Sequence, residues 1–135
     1  MPIELQWEKH PNLPDAFIVI LNHIGKWTWP EFNDANDQIL KRVESDKIKI
    51  IPIVNVGHNT HLPPNALSQL RQNPLMKHPN TVVIIMVINS LFIRTIADLV
   101  TRASRMPYQP VFVSSMQIAR ELAHKAEPKL QKSTV

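Results

Sequence analysis

The chain opens with a strict alternation of apolar and polar residues. Ile3, Leu5 and Trp7 are separated by charged or amide side chains, a period of two that is typical of a strand with one buried face. A turn rich in proline follows over 10–15, and the next segment, 16–21, is apolar throughout. We therefore predict two strands joined as an antiparallel hairpin.

The next segment carries the signals of a helix start. Thr28 and Glu31 have the spacing of a capping box, and Pro30 falls in the first turn, where its missing N–H costs nothing. Trp27 and Phe32 occupy the positions of a hydrophobic staple, so we expect Trp27 to be structural and Trp29 to cover the edge of the core or to stand exposed as an anchor. The predicted buried stripe comprises Phe32, Ala35, Ile39, Leu40 and Val43, whereas Asp34, Asp37, Lys41 and Glu44 face water.

Strands and helices are predicted to alternate beyond this helix. Strands are expected over 48–56, 81–88 and 111–113, and Pro52 predicts a bulge or an unpaired stretch because it cannot donate to a ladder. Helices are expected over 63–72, 90–104 and 114–126. Asn73 and Pro74 are predicted to end the first of them. The last of these helices is predicted to have Ser114 as its cap and to bury Ile118, Leu122 and Ala126.

The order of elements predicts an α/β fold, with a mixed, mostly parallel sheet of about five strands, an N-terminal antiparallel hairpin and four helices. A length of 135 residues suits one domain, expected over 1–126 with a flexible tail over 127–135. The absence of cysteine excludes thiol catalysis, iron–sulfur clusters and disulfides. The two glycines, Gly25 and Gly57, lie too far apart for a phosphate-binding glycine loop.

Charge gives few indications of a partner. The net charge is +4, but the basic residues are scattered and aromatic residues make up only 6%, so we do not expect a nucleic-acid partner. The longest apolar run, 82–88, is too short for a membrane helix, and the first residues lack the pattern of a signal peptide. We expect a cytoplasmic protein with no membrane partner.

The histidines are the strongest candidates for site chemistry. His58 and His61, with His78 further along, could offer imidazoles to zinc or nickel, but the pair lies on a predicted loop and no carboxylate completes the set. We therefore expect neither a metal nor another cofactor. Asp34 and Asp37 fall on the solvent face, and no serine has the flanking glycines of a hydrolase nucleophile. No catalytic residue is assigned, and we do not expect an enzyme.

Ligands of α/β sheets usually bind at the carboxyl ends of the strands. Here 55–65, 89–92 and the serines at 114 and 115 are predicted to line that edge, with a polar, amide-rich and uncharged composition. This composition favours a protein or a small neutral ligand over a phosphate. The candidate partner-binding residues are His58, Asn59, Thr60, His61, Pro64, Asn65, Asn89 and Phe92.

The layout of the chain and its segment 53–70 resemble the STAS domain of sulfate transporters and anti-sigma-factor antagonists. Segments 25–32, 62–64 and 78–80 are more similar to small stand-alone SpoIIAA-like proteins. The resemblance covers nearly the whole chain. It implies a SpoIIAA-like fold and a non-catalytic regulatory role through protein–protein interaction.

The chain departs from the family at the phosphorylation site. The family's signature has an aspartate and then an Asp-Ser-Ser-Gly helix start, where a partner kinase phosphorylates one serine. Here the first aspartate falls on Asn55 and the helix start on 63–66, which holds no hydroxyl, while Thr60 and Ser68 are the nearest alternatives. The resemblance thus implies a module without this switch, binding a protein partner or a second copy. A binder of a small apolar or lipid-like ligand is the alternative.

Overall fold

A five-stranded mixed sheet forms the centre of the protein. The computed structural model describes residues 3–23, 28–57, 73–88, 95 and 110–126. The strands are β1 (Ile3–Lys9), β2 (Ala16–His23), β3 (Lys49–Gly57), β4 (Ile85–Ile88) and β5 (Val111–Val113), and they lie in the sheet in that order. β1 pairs antiparallel with β2, and every other pair is parallel. The predicted α/β class, hairpin and mixed five-stranded sheet are confirmed.

The helices of the described ranges are α1 (Trp29–Asp46), α2 (Pro74–Lys77) and α3 (Met116–Lys125). Of the four predicted helices, α1 and α3 are found where expected. The helices predicted over 63–72 and 90–104 lie outside the described residues, except for Thr95, which is helical. The Asn73 side chain accepts from the Leu75 N–H and caps α2, and the predicted end of the preceding helix lies outside the described residues.

α1 begins as the sequence predicts. The Thr28 side chain accepts from the backbone of Glu31, whose carboxylate in turn accepts from the Thr28 N–H at 2.9 Å. The helix ends at Lys47, which adopts the left-handed conformation with φ 53°. The predicted stripe is buried except for half-buried Leu40, and it also includes Asn36. Trp27 lies outside the described residues.

Helices cover the sheet on both faces. The face of the sheet beneath α1, which we call the α1 face, packs against large apolar side chains of the helix that include Phe32, Ile39 and Val43. The opposite face, the α3 face, packs against Ala119 and Ala123. Successive residues of β2 and β3 alternate between the faces, and this explains why both strands are apolar throughout.

α3 packs mainly through a different stripe from the one predicted, although Ala126, just after the helix, does pack on the α3 face as expected. Ala119 and Ala123 are fully buried, whereas Ile118 and Leu122 are 41% and 39% exposed. The cap is Ser115 rather than Ser114, because the Ser115 hydroxyl accepts from the Ile118 N–H at 3.2 Å. Alanine has the smallest side chain of the apolar residues at these positions, so this stripe lets the helix lie close to the isoleucines of the sheet.

The prediction for Pro52 is confirmed. Ile50 donates to Asn80 and accepts from Val82, so backbone groups at even positions of β3 face β4. Pro52 belongs to this set and cannot donate. The pairing of β3 with the β4 side is interrupted at Pro52. Ile50 pairs with Thr81 and Ile53 pairs with Ile85, so the β4 side holds one residue more than β3 between these two pairs. The regular part of β4 is therefore shorter than the predicted 81–88.

Candidate functional site

The carboxyl ends of β2, β3, β4 and β5 meet at one edge of the sheet, because these strands are parallel. Both long helices begin at this edge, since α1 follows β2 and α3 follows β5. We define the carboxyl edge by the described side chains of Asn22, His23, Asn55, Ser114 and Ser115. Edges of this kind are where α/β sheets bind ligands and partners.

A hydrogen bond between two asparagines joins the ends of β2 and β3. The Asn55 side-chain nitrogen donates to the Asn22 side-chain oxygen at 2.8 Å, and both residues are half-buried. They are opposite each other in the strand register and lie on the α3 face, in line with Ile20 and Ile53. The position that the resemblance assigns to an aspartate therefore holds a neutral amide.

His23 lies at the same edge on the α1 face. It is buried, its Nδ1 lies 3.1 Å from the Leu21 carbonyl oxygen, and its ring centroid lies 5.6 Å from that of Phe32. Burial lowers the pKa of the His23 imidazole to about 4, although hydrogen bonds to the backbone of Leu21 and Asn55 act in the opposite direction. The imidazole is neutral at physiological pH.

The helix starts supply the remaining polar groups of the edge. The Ser115 hydroxyl is engaged as the α3 cap, whereas Ser114 is exposed in the bend before it. At the start of α1 the Glu31 carboxylate accepts from the backbone and hydroxyl of Thr28, at 2.9 Å in each case. The Glu31 carboxylate is charged, whereas the defining residues of the edge are neutral and suit hydrogen bonding to a neutral surface.

The predicted partner-binding residues all follow the carboxyl ends of β3 and β4 but lie outside the described residues; they are His58, Asn59, Thr60, His61, Pro64, Asn65, Asn89 and Phe92. The structure brings Asn55, Ser114 and Ser115 to one edge, as predicted. Trp29 is half-buried and packs edge-to-face on Phe32 with ring centroids 5.6 Å apart, as predicted for a residue at the edge of the core.

The third candidate metal ligand, His78, lies at the opposite end of the sheet. It precedes the Ile50–Thr81 bridge at the amino end of β3, its Nδ1 accepts from the Asn80 N–H at 3.0 Å, and its Nε2 lies 3.9 Å from a Glu44 oxygen. The end of β3, where the segment holding His58 and His61 begins, lies at the carboxyl edge. Within the ranges that the structure describes, no three acidic or histidine side chains gather to hold a metal.

Two groups of polar residues were missed by the sequence predictions. His10 is buried at the end of β1; its Nδ1 accepts from the N–H groups of Asn12 and Leu13, and its Nε2 lies 3.1 Å from the Ala123 carbonyl oxygen. On α1, Asn36 is fully buried and donates to Asn73 at 3.3 Å. No local sequence signal reveals the contact of His10 with Ala123 or that of Asn36 with Asn73, since these partners are distant along the chain.

The part of the chain that the structure describes contains no helix of the length and apolarity needed to cross a membrane. Comparisons of the chain with protein-family models, with curated proteins and with solved structures gave no match.

Proposed function

We propose that this protein is a non-catalytic protein-interaction module, similar to STAS domains, and that its partner binds the carboxyl edge. The mixed sheet, with an antiparallel first pair and parallel strands after it, supports the proposal because it is the architecture that the resemblance implies. The mostly neutral composition of the edge also supports it, because neutral amides and hydroxyls, beside the carboxylate of Glu31 at the start of α1, suit a protein surface better than a phosphate.

The hydrogen bond between Asn55 and Asn22 is the main support for this proposal. Each carboxamide has two donor hydrogens and an acceptor oxygen, so the 2.8 Å bond between them uses only part of their capacity. Because the bond holds both side chains in place, the remaining groups are preorganised for a partner. Preorganised groups lose less conformational entropy on binding than mobile ones.

The missing hydroxyl at positions 63–66 also has a regulatory consequence. A phosphorylated serine brings nearly two negative charges to a helix start, and the positions that match the family's site offer no hydroxyl for this modification. We therefore propose that partner binding is constitutive. The intact mass of the protein isolated from its own cells should show no phosphate, and phosphate on Thr60 or Ser68 would contradict constitutive binding.

The proposal is tested by capture of partners from the protein's own cells with wild type and two matched variants. Asn55→Asp adds one charge at the carboxyl edge, and rotation of the Asn22 amide allows the hydrogen bond to persist with the carboxylate as acceptor. Asn12→Asp makes the same chemical change on an exposed residue of the β1–β2 turn, at the other end of the sheet. Both variants should fold.

We expect wild type and Asn12→Asp to retain the same protein partner, and Asn55→Asp to lose at least about nine-tenths of it, a difference of roughly 1.4 kcal/mol in binding. Equal recovery of the partner by both variants would refute the role of the carboxyl edge. Retention of a small apolar molecule, detected by native mass spectrometry, with no protein partner would instead favour the ligand-binding alternative.

A further inference from the structure

β1 forms one edge of the sheet. Among the described strands it pairs only with β2, and it is seven residues long, whereas the other edge strand, β5, has three residues. Proteins commonly protect their edge strands by making them short, by placing proline or bulges in them, or by charged side chains, of which β1 has Glu4, Glu8 and Lys9. β5 is short and directly follows Pro110, but β1 contains neither a proline nor a register shift.

The backbone of β1 presents a regular set of groups to this edge. His10 donates to the Ala16 oxygen directly opposite it, so residues at even positions of β1 exchange hydrogen bonds with β2. Residues at odd positions then direct their N–H and C=O groups away from β2. Leu5, Trp7 and Lys9 therefore offer an uninterrupted row of donors and acceptors at the edge.

Side chains of β1 give this edge an apolar side and a polar side. Leu5 and Trp7 are half-buried on the α1 face, where the Arg42 guanidinium lies 4.2 Å from the Trp7 ring centroid. Glu4 and Gln6 are exposed on the α3 face. A strand added to this edge would cover the remaining exposed area of Leu5 and Trp7.

We propose that a second copy of this chain occupies the edge, and that the two β1 strands pair antiparallel about a two-fold axis at Trp7. The two sheets then join into one continuous sheet. Trp7 faces Trp7 of the second copy and Leu5 faces Lys9, so that outward backbone groups meet on both strands. Symmetric pairing of one surface with itself is the commonest way in which proteins form dimers.

Charge selects this register over its neighbour. A two-fold axis at Gln6 would place Glu4 opposite Glu8, and like charges directly opposite destabilise an antiparallel pair. With the axis at Trp7, Glu8 instead faces the Gln6 amide of the second copy. This amide donates one hydrogen to Glu8 of its own chain at 3.0 Å and has a second hydrogen to donate across the interface. Glu8 is also partly neutralised within its own chain, because Arg120 lies 2.6 Å from both of its carboxylate oxygens.

An axis at Glu8 would place Glu8 opposite Glu8 of the second copy, again a contact between like charges. An axis at Leu5 is a further choice. It would place Trp7 opposite Ile3, which is already buried, and Lys9 opposite position 1 of the second copy. The axis at Trp7 pairs two half-exposed indole rings instead, and cross-strand aromatic pairs are among the favourable ones.

Analytical ultracentrifugation of the full chain tests the interface through Gln6, which is exposed. Wild type should show a reversible monomer–dimer equilibrium between about 10 and about 500 µM, as expected for a small interface. Gln6→Glu should raise the dimer dissociation constant about tenfold, because it creates two like-charge contacts, and Gln6→Lys should lower the constant. Gln117→Glu, the same change at an exposed position on α3, should alter it less than about twofold.

Hydrogen exchange of individual amides, followed by NMR, tests the geometry. The N–H groups of Leu5, Trp7 and Lys9 should become protected as concentration rises, whereas those of Gln6 and Glu8 should be protected at every concentration. A monomeric wild type throughout the range, or a dimer indifferent to Gln6→Glu, would overturn the proposal. Protection of the odd amides that does not depend on concentration would also overturn it, because a segment of the same chain would then occupy the edge.

Discussion

The two faces of the sheet hold their helices in different ways. On the α1 face an 18-residue helix inserts large side chains, with Phe32 and Ile39 almost fully buried. On the α3 face a ten-residue helix buries only Ala119 and Ala123, which bring little apolar area of their own. The α1 face is therefore stabilised mainly by the burial of large side chains. The α3 face depends instead on the close approach of α3 to the sheet, which the alanine side chains allow.

Polar contacts compensate for the small contact area on the α3 face. The Arg120 guanidinium binds the Glu8 carboxylate, and the His10 ring contacts the Ala123 carbonyl near the end of α3. Both contacts tie α3 to β1 or to the turn after it. Cavity-forming substitutions should therefore be most costly on the α1 face, whereas the α3 face should be most sensitive to added volume.

The largest effect is expected for Ile39→Ala, which removes a fully buried side chain from the α1 face. The loss of apolar burial and the resulting cavity should lower the free energy of unfolding by about 3 to 4 kcal/mol. Chemical denaturation measures this value. The exposed residue Lys41 on the same helix provides the control, and Lys41→Ala should change stability by less than about 0.5 kcal/mol.

The pH dependence of stability should reflect the His23 imidazole, which is buried on the α1 face. Because the pKa of His23 is about 4 in the folded protein against 6.5 unfolded, the unfolded chain binds an extra proton between these values. Stability should therefore fall as pH is lowered from about 6.5 to about 4, by about 3 kcal/mol from this group. His23→Gln should flatten the dependence in that window. An unchanged slope in the variant would show that His23 does not cause it.

Added volume should be costly on the α3 face. Ala119→Leu places a large side chain where α3 lies close to the sheet, and it should cost about 2 kcal/mol. Ile118→Ala, at the neighbouring exposed position, should cost less than about 1 kcal/mol. If Ile118→Ala proved the more costly of the two in thermal denaturation, then Ile118 rather than Ala119 would face the sheet.

The smallest effect is expected for the contact between Arg120 and Glu8. Both side chains are partly exposed, at 38% and 25%, so solvent screens their attraction. A double-mutant cycle with Arg120→Gln and Glu8→Gln should give a coupling of about 0.5 to 1 kcal/mol, which falls with added salt. A coupling near zero would remove this contact from the description of the α3 face.

The sequence predicted what depends on local patterns. The alternation around Leu5, the capping box at Thr28 and the missing donor of Pro52 each act over a few residues, and the structure agrees with all three. The stripe of α3 was predicted wrongly because hydrophobicity alone favours Ile118 over Ala119. The choice between them depends on how closely the helix approaches the sheet, which is a tertiary property.

The candidate site was predictable only in its location. The rule for parallel strands placed Asn55 and Ser114 at one edge, as observed. The Asn22–Asn55 bond depends on the register of β2 against β3, and the lowered pKa of His23 depends on burial behind Phe32. Neither register nor burial of a single polar residue can be derived from spacing along the chain.

Binding of a partner at the carboxyl edge is tested most directly by site-specific photo-crosslinking in the protein's own cells. A photoreactive amino acid replaces Ser114, which is exposed at the carboxyl edge, or Asn12, which is exposed at the opposite end of the sheet. We predict covalent adducts with one protein partner from position 114 and none with that partner from position 12. Adducts with the same partner from position 12 alone, or none from position 114, would contradict the proposed function.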